Sequence, residues 1–136
     1  MNRSLTHRGP GYVPSYQISG IPFVTGSLLV PNNAGEPLEV QFSHITKFIT
    51  IRNILDPAGT SKPIRFGFSS DGVKGTVNNN YNVLKNGESY EGDLRVSKLF
   101  LISDSSLTSS GSVIVGMTDI PSTYLVPNWS GSFGVG

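Results

Sequence analysis

Leu38-Glu39-Val40-Gln41-Phe42 places an apolar side chain at every second position, with polar ones between them. Successive side chains of an extended strand point to opposite faces, so the pattern fits a strand with one face in a core and the other in water. Two further stretches repeat it. Ile64, Phe66 and Phe68 alternate with Arg65 and Gly67, and Val113, Val115 and Met117 alternate with Ile114, Gly116 and Thr118. Leu38, Val40, Phe42, Ile64, Phe66, Phe68, Val113, Val115 and Met117 are therefore expected in one core.

Outward from these stretches, short apolar runs recur at intervals of about 8–12 residues, the spacing of a sandwich or barrel. Seven or eight strands are expected, at 22–30, 37–42, 45–53, 63–68, 80–84, 94–102 and 111–118, with 15–19 as the eighth. In 94–102 the apolar parity changes between Leu94/Val96 and Leu99/Leu101 while Phe100 and Ile102 fill the other face. Either a bulge shifts the register or the strand is covered on both sides, and covering by a neighbouring subunit is the preferred reading. Between the runs stand turn formers: Pro31-Asn32-Asn33-Ala34-Gly35, Asp56-Pro57-Ala58-Gly59, Asp71-Gly72 and Lys85-Asn86-Gly87.

Composition narrows the class. At 136 residues the chain fits one domain. Only 14% of it is charged, against about a quarter in ordinary domains, and Gly, Ser, Thr, Asn and Pro are abundant, which suits strands and turns and not a helical bundle. There is no cysteine, so disulfides and thiolate metal sites are excluded. A net charge of +1 argues against a general coat for nucleic acid. No apolar run approaches the roughly 20 residues that span a bilayer, and the first ten residues lack the apolar stretch of a signal peptide. Synthesis in the cytosol without secretion is the expectation.

The two ends differ from the middle. Residues 1–20 carry Arg3, His7 and Arg8, precede the first acidic residue, Glu36, and are broken by Gly9-Pro10-Gly11 and Pro14, which reads as an extended arm. Arg3 and Arg8 have no nearby carboxylate to cancel them and so could touch phosphates. The body spans 21–121. The segment 122–136 carries no charge and contains Trp129 and Phe133. A solvated tail normally shows charge, so these aromatics are expected to dock on a surface; the other reading is a Gly/Ser-rich disordered end.

Catalytic chemistry finds little to stand on. His7 lies in the arm and His44 in the turn Ser43-His44, read as a turn residue. Glu88-x-x-Glu91-x-Asp93 could hold a hard cation but reads as a solvated approach to the following strand. Asp71-Gly72-x-x-Gly75 with Asn78-Asn79-Asn80 lacks the Lys-Ser/Thr of a phosphate loop and reads as a long surface loop. Asn128-Trp129-Ser130 matches a glycosylation acceptor by chance. Tyr81, Tyr90, Tyr124 and Trp129 could stack on sugar faces, which keeps a carbohydrate-binding β-sandwich as the alternative, with a stable monomer as its expectation. Neither an enzyme nor a metal or other cofactor is expected.

A resemblance rests on the order of several segments. Ile21-Pro22-Phe23-Val24-Thr25-Gly26 opens the body. Ile45-Thr46-Lys47-Phe48-Ile49-Thr50-Ile51-Arg52-Asn53 follows, then Ile64-Arg65-Phe66-Gly67-Phe68-Ser69 with Gly72-Val73-Lys74-Gly75, Leu94-Arg95-Val96-Ser97-Lys98-Leu99-Phe100-Leu101 and Ser112-Val113-Ile114-Val115-Gly116-Met117-Thr118-Asp119-Ile120-Pro121. Over residues 20–121 this resembles the single jelly-roll penton and minor capsid proteins of large icosahedral double-stranded DNA viruses. The resemblance implies an all-β, single eight-stranded antiparallel jelly-roll sandwich with an extended N-terminal arm, placed in the virion at a five-fold vertex or beneath the capsid lattice. The implied partners are further copies of itself as a homopentamer, the major capsid protein and other minor capsid proteins, with the arm as a tether toward the inner membrane or genome. Implied assembly residues are Arg3 and Arg8 in the arm and Trp129 and Phe133 in the tail.

Overall fold

In a computed structural model that describes residues 21–54, 62–75, 79–125, 128–129 and 131–136, the chain forms two four-stranded antiparallel sheets. The strands are β1 (Ile21–Val30), β2 (Leu38–Gln41), β3 (His44–Asn53), β4 (Ile64–Gly67), β5 (Asn82–Leu84), β6 (Ser89–Gly92), β7 (Lys98–Ser103) and β8 (Ser109–Pro121). A short helix α1 (Ser70–Lys74) follows β4, and a 3-10 turn (Ser122–Leu125) follows β8.

β1 pairs with β8, β2 with β7, β3 with β6 and β4 with β5, so the chain is one long two-stranded ribbon whose tip lies between β4 and β5. Folding the ribbon on itself adds the β3–β8 and β4–β7 ladders. The sheet orders become β1-β8-β3-β6 (sheet A) and β2-β7-β4-β5 (sheet B). This is the wrapping of a jelly roll, and the chain is an eight-stranded antiparallel jelly-roll sandwich.

The apolar inner faces meet in a core that includes Val40, Ile49, Ile51, Leu101, Val113 and Val115. Each fully buried Val or Ile there stabilises the fold by about 1.5–3 kcal/mol. Leu38 and Phe68 are partly buried against this core, and the other seven residues of the alternating stretches are buried. Two ring contacts bridge the sheets: Phe23 meets Phe42 edge-on at 5.3 Å, and Tyr90 lies 5.0 Å from Phe66.

β1 shows no simple alternation in sequence because it bulges. Between Thr25 and Leu28 the strand advances three residues while β8 advances two, from Val113 to Gly111. The extra residue reverses parity, so Phe23 points inward before the bulge and Leu28 and Val30 after it, while Val24 and Leu29 point out. A second bulge in β3, between Thr46 and Phe48, buries Ile49 and Ile51 and turns Phe48 outward.

Several expectations are corrected. The stretch Glu88 to Asp93 is not a solvated approach to a strand: Ser89–Gly92 is a strand itself, paired along Ile49–Arg52 of β3. Its inward Tyr90 supplies the burial that such a polar sequence otherwise lacks. The following strand starts at Lys98, not at residue 94, because Leu94 to Ser97 cross from sheet A to sheet B with Val96 buried on the way. β7 is covered on both faces, yet the cover comes from the same chain. Leu99 and Leu101 enter the core, while Phe100 and Ile102 pack with Val73 of α1. The Asp71–Gly75 segment is that helix and not a surface loop. Ser69 caps it by accepting from the Gly72 amide at 3.0 Å, and Gly75 ends it in the left-handed region. α1 sits directly on β4 because Gly67 has no side chain; a Cβ there would lie 2.6 Å from Val73 Cγ2. The expected strand at 15–19 lies outside the described residues.

Candidate functional site

The C-terminal segment returns to the outer side of sheet B, and one asparagine fastens it. Asn128 is 2% exposed with φ +50, a left-handed conformation that asparagine tolerates better than most residues. Its Oδ1 accepts from the Ser97 amide at 2.7 Å and the Lys98 amide at 3.3 Å. Its Nδ2 donates to the carbonyls of Phe68 at 2.7 Å and Lys98 at 3.2 Å. One side chain thereby ties the tail to the end of β4 and the start of β7. An amide so buried offers no acceptor for a glycan, which agrees with reading Asn128-Trp129-Ser130 as a chance match.

Beyond Asn128 the chain turns on itself. The Ser132 amide donates to the Trp129 carbonyl, and Val135 and Gly136 donate back to the Ser132 carbonyl. The Val135 carbonyl accepts from Ser69 Oγ at 2.7 Å, so the residue that caps α1 also holds the tail. Gly72 is the seat. A Cβ there would stand 2.2 Å from the Val135 oxygen, so any side chain at this position pushes the tail away.

Against this support stand the two aromatics expected to dock. The Trp129 indole Nε1–H donates to the Arg95 carbonyl at 3.1 Å, yet the residue remains 53% exposed, and Phe133 is fully exposed. The tail is docked, but its Phe133 ring is not; it projects. Phe133, Gly131, Ser132 and Gly134 line one wall of an open cleft of about 690 Å3, with Asp71, Gly72, Asn79 and Asn80 on the other. Arg3 and Arg8, the other two expected assembly residues, lie outside the described residues, as does His7.

Arg65 organises the remaining outer side of sheet B. Its Nε donates to Asp104 Oδ1 at 2.6 Å, its Nη1 reaches the Val73 and Lys74 carbonyls at the end of α1, and its guanidinium carbon lies 4.5 Å from the Tyr81 ring centroid. In sequence this residue stands out only as the polar partner in an alternating strand. Its role depends on residues 8 to 39 positions away, which alternation does not reveal.

The polar residues weighed for catalysis do not converge. His44 opens β3, with its Nδ1 2.9 Å from Ser43 Oγ. Glu88 accepts from the Lys85 amide at 2.7 Å within its turn, and Glu91 stands opposite Thr50. Among the described residues no three His, Cys, Asp or Glu side chains gather as a metal site. No described helix is long and apolar enough to cross a membrane. Of the four aromatics considered for sugar stacking, Tyr81 lies under Arg65 and Tyr90 packs on the core, leaving Tyr124 and Trp129 exposed.

Apart from Leu107 in the loop before β8, the other exposed apolar side chains lie on sheet A. Val24 and Leu29 of β1 are 67% and 69% exposed, and Ile114 of β8, the register partner of Val24, is 41% exposed. Pro22, Gly116 and Phe48 form the neighbouring row across β1, β8 and β3. No family model and no curated protein matches this chain.

Proposed function

We propose that this chain is a virion structural protein, a single jelly-roll penton or minor capsid component of a large icosahedral double-stranded DNA virus. It acts by self-assembly into a homopentameric ring and by contacts with the major capsid protein and other minor capsid proteins. The observation that carries the proposal is the pairing of a jelly-roll wrapping with a charge-free C-terminal segment that is anchored by Asn128 and yet presents Trp129 and Phe133 to solvent. Surfaces buried between subunits are depleted of charge and enriched in aromatic residues, and rings form when one patch repeatedly meets a different one. Residues 1–20, with Arg3 and Arg8, extend this proposal as a tether toward the inner membrane or genome. The alternative, a monomeric carbohydrate-binding module, keeps only two exposed aromatics, Tyr124 and Trp129, of the four it would use.

Light scattering of the purified chain at several concentrations tests the proposal. A discrete species near five times 14.6 kDa is expected. A monomer at every concentration, with saccharide binding on a glycan array, would replace the capsid reading with the carbohydrate one.

A further inference from the structure

β1 is an unusual edge. Among the described residues, four strands border the two sheets: β1 and β6 in sheet A, β2 and β5 in sheet B. Open edges are templates for another chain, and proteins blunt them with shortness, charge or bulges. β5 is three residues long, β6 is four and carries Glu91, and β2 is four and carries Glu39. β1 is ten residues long without a charged side chain, blunted only by Pro22 and by its bulge between Thr25 and Leu28. Beside it β8 carries a single charge, Asp119, close to its C-terminal end. The face that the two strands present outward, with Pro22, Val24, Leu29 and Ile114, continues to Phe48 and Thr50 of β3. It meets charge at Arg52 of β3, the register partner of Ser112 in β8, and at Glu91 of β6. An apolar centre with a charged margin is the anatomy of an interface.

A second surface, carried by the charge-free C-terminal segment, lies on the other sheet. Trp129 and Phe133 project from a segment already fixed by Asn128, by Ser69 and by its own turns, so presenting them costs little further ordering. Projecting aromatics on a preordered support are what binding anchors look like, and the exposed Val24, Leu29 and Ile114 give them apolar atoms to bury against. Area agrees with two rings: ten strand residues span about 33 Å and the three strands β1, β8 and β3 about 14 Å, a strip of roughly 460 Å2, while buried aromatic side chains cover about 150–250 Å2 each.

We propose that the outer face of sheet A at β1 receives Trp129 and Phe133 of a second copy of this chain, a head-to-tail contact that repeats around a closed ring. The inference rests on the self-assembly reading above and names its two surfaces. Because the patches differ and lie on different sheets, the contact is heterologous, so each copy uses both.

The test is sedimentation velocity on the full chain and on Val24→Glu and Phe133→Glu, with Val24→Thr and Phe133→Leu as conservative controls. Both sites are solvent-exposed, so thermal melting should be unchanged. Each glutamate should weaken association by about 100-fold or more, because a buried unpaired carboxylate is costly at an interface. An equimolar mixture of the two glutamate variants should form pairs and no rings, since one intact face meets one intact pair of aromatics. Rings that survive both substitutions overturn this contact while leaving self-assembly standing. Loss of association in only one of the two glutamate variants overturns the head-to-tail geometry, because a two-fold contact at a single patch gives that result, and so do variants that stay monomeric when mixed. If Val24→Glu lowers the melting temperature instead of the mass, the face is covered within the chain and the proposal falls. A wild-type chain that stays monomeric also excludes the contact, and its presence or absence in purified particles then decides the capsid reading by itself.

Discussion

Replacing Asn128 with alanine removes an amide that satisfies two backbone N–H groups and two carbonyls in a buried site. Leaving buried polar groups without partners costs about 1–3 kcal/mol each, and holding alanine at φ +50 adds about 1–2 kcal/mol. These costs sum to more than the tail's docking can be worth, so the cheaper response is release of residues 128–136, which lets water reach Ser97 and Lys98. The expected loss in urea-unfolding stability is therefore capped at the docking free energy, about 2–3 kcal/mol. Native-state hydrogen exchange should show faster exchange at the Ser97 and Lys98 amides, while Ile51 and Val113 keep their protection. Asn128→Gly relieves the backbone strain but not the lost hydrogen bonds, whose cost alone exceeds that cap, so it should recover little of the loss. Asn128→Asp keeps the acceptor but faces the Phe68 and Lys98 carbonyls with a carboxylate, so it should behave like alanine. Unchanged stability within about 0.5 kcal/mol and unchanged protection at Ser97 and Lys98 in Asn128→Ala would refute the anchoring role.

Gly72→Ala should produce the same exchange pattern by a different route, since its Cβ would collide with the Val135 oxygen. The double variant with Asn128→Ala should be no less stable than the worse single one, because both release one docked segment. Arg65→Met should cost about 2–3 kcal/mol through loss of the Asp104 pair and of the bonds to the end of α1, and Arg65→Lys should recover only part of it, as a point charge cannot serve all those partners; chemical denaturation reads both. Leu101→Ala, fully buried, should cost about 2–5 kcal/mol, whereas Leu107→Ala, in an exposed loop, should stay within about 0.5 kcal/mol.

How much the sequence reveals depends on how local each cause is. Strands with one buried face and one wet face announce themselves, which is why 37–42, 63–68 and 111–118 are legible with their inward residues. β6 escapes sequence reading because Ser89-Tyr90-Glu91-Gly92 offers one large inward residue to a core supplied by distant strands. The helix at Ser70 escapes it because five residues cannot show a 3.6-residue period, although Ser69 before it and Gly75 after it are its cap signals. Phe100 and Ile102 visibly need cover, and sequence reasoning assigns that cover to a second subunit. The cover is Val73, some 27 residues earlier, held there by the absence of a side chain at Gly67.

The tail marks the boundary most clearly. Lack of charge and the presence of Trp129 and Phe133 are properties of the sequence, and they suffice to single out this segment. That Asn128 and not an aromatic does the fastening follows from backbone groups of Phe68, Ser97 and Lys98, which come together only when β4 and β7 lie side by side. Alternation and turn chemistry are set by neighbouring residues, so the sequence alone determined that the chain is a β-sandwich and which residues of its alternating strands face the core. Which strand becomes the long uncharged edge, what covers each outer face and where the aromatics project are set by contacts between residues tens of positions apart, and only the wrapped jelly roll brings those together.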